Sequence, residues 1–152
     1  PKGLFFNDYS ATNMYLGYGI FLLVYIASVI GGNMLSLFMH KKEAYYSAVG
    51  ASGGVSGILF AAVAAFPELE LRIFFAIPIK AWLFGILYLA YSVYGMKNNV
   101  GNIGHSAHLG GAIVGLVATV IYFPDLLQYN LIYILGMLIP LGGLGYLLLK
   151  NK

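Results

Sequence analysis

Two residues with the chemistry of a nucleophile and a base sit in sequence otherwise suited to hydrocarbon. Gly50-Ala51-Ser52-Gly53 places a hydroxyl where a loop turns into an apolar run. Ala107-His108, followed by Gly111 and Gly115, places an imidazole in a later run of the same kind. A polar side chain in a bilayer is expensive unless it is paired or used. A serine hydroxyl becomes a nucleophile when an adjacent base takes its proton, and neutral histidine is suited to that task.

Ser52 falls at the start of a segment, where a helix has orphan N–H groups and a partial positive charge. An oxyanion formed there finds donors without solvent. Gly50 and Gly53 allow tight backbone conformations and close approach of a substrate. Gly53 and Gly57 are spaced four apart, a small-xxx-small face for helix contact. His108, Gly111 and Gly115 share one helix face at i, i+3 and i+7. The alternatives are structural: Ser52 as a helix cap, the glycines as packing devices, and His108 as a packing histidine. His105, one turn earlier, reads as an interfacial residue. No carboxylate or Cys accompanies the two histidines, so no metal and no cofactor is expected. Asp8, Glu43, Glu68, Glu70 and Asp125 all fall in loops or at segment ends. The residues therefore permit a Ser-His dyad rather than a Ser-His-Asp triad.

Composition says what must position these groups. Of 152 residues, 61% are hydrophobic and 9% charged, with mean hydropathy +0.85. Soluble domains carry roughly 25% charged residues, so this chain cannot cover a water-facing surface. It reads as an integral, multi-pass membrane protein forming one domain over residues 1–152. A net charge of +3, with lysines scattered at segment ends, excludes nucleic acid as a partner. Cysteine is absent, which excludes disulfides and a thiolate nucleophile.

The fold class expected is all-α, a polytopic transmembrane bundle of about five helices. Apolar segments run from about Met14 to Met39, Ser52 to Phe66, Ile73 to Met96, His105 to Phe123 and Tyr129 to Leu149. The second is short for a span, so one end starts below the membrane surface. In the third, Pro78 and Lys80 mark where the helix proper begins. Pro140 is expected to kink the fifth. If consecutive helices alternate direction, Ser52 and His108 fall at the same membrane face. With five spans, Lys2, Arg72 and Lys80 lie on one side. Lys41, Lys42, Lys97, Lys150 and Lys152 lie on the other, with Ser52 and His108. Charge bias alone points that second side to the cytoplasm. The tyrosines, among them Tyr45, Tyr46, Tyr88, Tyr91 and Tyr94, read as membrane packing and interface belts, and Trp82 as interfacial.

Together these residues resemble the rhomboid family of intramembrane serine proteases. The likeness rests on Gly50-Ala51-Ser52-Gly53 opening a short helix and on Ala107-His108-Leu109-Gly110-Gly111-Ala112-Ile113-Val114-Gly115 in a later one. It runs from the end of the family's second helix onward and implies Ser52 as nucleophile and His108 as general base. It also implies transmembrane protein substrates, cut in or beside their membrane segments, and an active site on the non-cytoplasmic face, against the charge bias. Three departures accompany it. The first two core helices have no counterpart here, and the family's His-x-x-x-Asn oxyanion motif is not matched, since His40 is followed by Ala44 and is expected in a loop. A chain that truly began at Pro1 is expected to be inactive for want of that donor. Ser56 stands four residues after Ser52, where several members have a tyrosine packed on the histidine. The last segment is an extra C-terminal helix.

Two functions follow from this pattern. One is an intramembrane serine protease, with water entering from the loop near Asn98, Asn99 and Asn102. The other is a non-proteolytic rhomboid-like protein that binds transmembrane clients. The bilayer is a partner in either case, and a bacterial inner membrane is the expected location.

Overall fold

The structure, a computed structural model, describes residues 11–41, 51–73, 76–98 and 104–150. The elements in order are helix α1 (Ala11–His40), helix α2 (Ser52–Ala65), strands β1 (Glu70–Ile73) and β2 (Ile77–Lys80), helix α3 (Ala81–Asn98), helix α4 (His105–Tyr122), the single turn α5 (Leu126–Tyr129) and helix α6 (Leu131–Lys150). Three stretches, Met14–His40, His105–Tyr122 and Leu126–Gly143, are long and apolar enough to cross a membrane. α2 is apolar but has only 14 residues, about 21 Å at 1.5 Å per residue.

α1, α2 and α4 form the tightest part of the bundle because glycines remove the side chains between their backbones. A methyl placed on Gly53 would lie 3.0 Å from the Ala107 carbonyl oxygen, 3.3 Å from that of Ser28 and 3.5 Å from the Cα of Gly32. One on Gly111 would strike the backbone of Gly53, and one on Gly115 that of Gly57. Gly53 meets Gly32 while Gly57 meets Ser28, so α1 and α2 run antiparallel. Gly53 meets Gly111 while Gly57 meets Gly115, so α2 and α4 run parallel. A buried hydrogen bond from Ser106 to Ser36, 3.1 Å, joins α4 to α1.

α3 and α6 complete the bundle through side chains. Phe60, Val63, Leu89, Leu109, Leu116, Ile134 and Met137 belong to the apolar core shared by α2, α3, α4 and α6. Gly85 admits this contact, since a methyl there would lie 3.2 Å from Val63 and 3.3 Å from the Met137 sulfur.

Two local expectations are corrected, and one element appears that the sequence does not announce. Ahead of the helix expected to begin near Pro78 and Lys80, β1 and β2 form an antiparallel hairpin in which Glu70 pairs with Lys80 and Ile73 with Ile77. Pro78 disfavours helix for the residue before it, and Lys80 Nζ bonds the Glu68 carbonyl at 3.3 Å and the Glu70 carboxylate at 3.3 Å. The helix begins at Ala81. His40 ends α1 rather than sitting in a loop. His105 is 4% exposed rather than interfacial, because Gly95 and Tyr91 of α3 enclose its ring. Pro140, expected to kink its segment, lies inside α6.

At the far end of α2, the Asn130 amide donates to the carbonyls of Ala64, 2.9 Å, and Ala65, 3.3 Å. A helix leaves its last carbonyls unpaired, and Asn130 supplies the partners. Tyr133 donates to the Glu68 carboxylate and packs on Trp82, ring centroids 6.2 Å apart.

Candidate active site

Ser52 is the first residue of α2 and is exposed. The cap position belongs to Ala51, φ −68° and ψ 0°, so Ser52 is not the N-cap. The helix's first ladder bond runs from Val55 N–H to the Ala51 carbonyl, 3.2 Å. The N–H groups of Ser52, Gly53 and Gly54 precede it and have no carbonyl partner within the helix. They form the donor-rich end expected from the sequence.

His108 is the fourth residue of α4 and is half-buried. Its own N–H closes the first turn on the Gly104 carbonyl at 3.0 Å. The Ala107 carbonyl next to it is the group that packs on Gly53, the residue after Ser52. Parallel helices in contact at this level bring the Ser52 and His108 ends of α2 and α4 to the same side of the bundle. Among the described residues Ser52 Oγ and the His108 ring share no hydrogen bond. Resting catalytic hydrogen bonds are often long and tighten only with substrate.

The glycines sort by position. Gly53, Gly111 and Gly115 lie in the contact between the two helices. Gly50, and with it the approach to Ser52, lies outside the described residues, as do Asn99 and Asn102. Gly53 and Gly54 are buried while Ser52 beside them is exposed, so the hydroxyl emerges from a tightly packed base.

α3 contributes a residue that the sequence did not single out. Tyr88 faces His108 with ring centroids 6.2 Å apart and 30° between planes. Its hydroxyl is 2.8 Å from Ser56 Oγ, on the turn of α2 after Ser52. Phe60 and Phe84 flank the same ring at 5.6 and 5.9 Å. From sequence alone Tyr88 reads as membrane packing. The signal available was its hydroxyl in an apolar segment, since a buried tyrosine O–H usually finds a partner. At Ser56, where the family resemblance leads one to expect a tyrosine, a serine instead binds a tyrosine from another helix.

The family model described as Rhomboid domain matches residues 9–125, which span both motifs. RHOMBOID-like protein 12, mitochondrial, from Arabidopsis thaliana is 30% identical over 131 residues. That match covers 76% of this chain and 39% of the relative, so the chain spans about two-fifths of that relative's length. No solved structure matches. The relative's mitochondrial name lends no support to a bacterial inner membrane. An apolar bundle with three spanning stretches, glycine-packed helices and a domain match over most of its length makes this chain an integral membrane protein of the rhomboid family.

Proposed function

We propose that the chain carries the catalytic helices of an intramembrane serine protease, with Ser52 as nucleophile and His108 as general base. The observation that carries this reading is the parallel, backbone-close packing of α2 on α4, with Gly53 against Ala107 and Gly111. Ser52 Oγ attacks the carbonyl carbon of a substrate peptide bond, and His108 takes the hydroxyl proton. The orphan N–H groups at the start of α2 stabilise the oxyanion. His108 then gives the proton to the leaving amine, and a water that it deprotonates hydrolyses the acyl-serine ester. Gly50 adds backbone freedom ahead of the nucleophile. The substrates are transmembrane proteins, cut in or beside their membrane segments.

The missing Ser52–His108 hydrogen bond favours a second reading, in which the protein binds transmembrane clients without cutting them. A serine-directed fluorophosphonate separates the two. Labelling of the natural protein in detergent, lost in both Ser52→Ala and His108→Ala, is the expected result. Equal labelling of wild type and Ser52→Ala overturns the protease reading.

A further inference from the structure

We propose that Tyr88 is the positioning residue for His108, and that Ser56 fixes Tyr88 in turn, so one side chain of α3 couples the nucleophile helix to the base helix. The inference rests on the Ser52–His108 reading above. Three observations support it. The Tyr88 ring lies against the His108 ring at a shallow angle, 30°, with centroids 6.2 Å apart. Its hydroxyl is held at 2.8 Å by Ser56, four residues after Ser52 and therefore on the same face of α2. Ser56 is buried, 3% exposed, so its hydroxyl has little access to competing water.

The geometry assigns separate tasks to the two ends of the tyrosine. The ring covers one side of the imidazole and limits its rotation about Cβ–Cγ. The hydroxyl ties the ring to α2, so the imidazole is referenced to the helix that carries Ser52. Phe60 and Phe84 hold the ring from other directions. His108 thus need not rely on a buried carboxylate for its orientation, and none lies in the described part of α4. A base that turns freely spends less time aimed at the serine, and misplacement on the order of 1 Å costs roughly a hundredfold in rate.

The test is inactivation kinetics with a fluorophosphonate alone, resolving kinact from KI, on the natural protein in detergent. Tyr88→Ala and Tyr88→Leu are both expected to lower kinact by roughly tenfold to a hundredfold, with KI little changed. Tyr88→Phe keeps the ring and is expected to lose only about threefold, the worth of one modest hydrogen bond. Ser56→Ala should match it, and the double variant should be no slower than either single, because both remove the same bond. Size-exclusion profiles and melting temperatures identify folded variants. If Tyr88→Ala does not fold, the Tyr88→Phe and Ser56→Ala cycle decides, and full additivity overturns the proposal. If Tyr88→Leu labels like wild type, the residue only fills volume and the proposal falls while the dyad stands. If Ser52→Ala or His108→Ala labels like wild type, or wild type does not label, the protease reading falls and this inference with it.

Discussion

Gly111→Ala is the sharpest perturbation of the helix pair that carries Ser52 and His108. The added methyl would meet the Gly53 carbonyl oxygen and lie 2.5 Å from its carbonyl carbon and 2.8 Å from its Cα. Carbon–carbon contacts settle at about 3.5–4.0 Å, so α2 and α4 must part by roughly 1 Å. No rotamer can absorb this, because the obstacle is backbone. The free energy of folding changes less than the geometry does. Overpacking costs about 1–3 kcal/mol, and replacing a helical glycine returns roughly 1 kcal/mol. On the proposed protease reading catalysis is more sensitive, since a displacement of about 1 Å between reacting groups costs roughly a hundredfold. Fluorophosphonate labelling should therefore fall about a hundredfold while the melting temperature moves only a few degrees. Gly142→Ala is the control, because a methyl there meets nothing within 4 Å. Labelling of Gly111→Ala within about threefold of wild type would refute the claim that this contact sets the spacing of the site.

Two further substitutions probe the frame. Asn130→Ala leaves the Ala64 and Ala65 carbonyls without their side-chain donor, and a thermal melt in detergent should show a loss of about 1–3 kcal/mol. Gly95→Ala drives a methyl into the enclosed ring of His105, 2.6 Å from its Cε1. It should lower stability by about 1–3 kcal/mol and slow labelling far less than Gly111→Ala, because His105 is not the proposed base.

Much of the candidate site is legible in the sequence because its signals are local. Serine and histidine are conspicuous in hydrocarbon, and glycines at i, i+3, i+4 and i+7 announce close helix contact by spacing alone. Gly53, Gly57, Gly111 and Gly115 all lie in that contact. What escaped were pairings between distant parts of the chain. The Ser56–Tyr88 bond spans 32 positions, and Asn130 reaches 66 positions back to Ala64. Neither residue belongs to a motif. The burial of His105 is hidden from the sequence because its enclosure comes from Gly95 and Tyr91 on another helix. The hairpin ahead of α3 is not visible in the sequence because a four-residue strand such as Ile77–Lys80 is too short to display an alternating pattern.

The clasp between Asn130 and the end of α2 makes that helix a strut of fixed length. Its lower end, followed by Glu68, Glu70 and Lys80, belongs at the headgroups, where charge is cheapest. From there 14 residues climb about 21 Å into a hydrocarbon layer about 30 Å thick. With that end at the headgroups and the helix along the membrane normal, residue count alone would place Ser52 roughly 9 Å beneath the opposite surface. On the proposed protease reading, a helical segment reaching it would bring about six residues below the surface before its scissile bond meets the hydroxyl. Thinner bilayers would shorten that descent, and thicker ones would lengthen it.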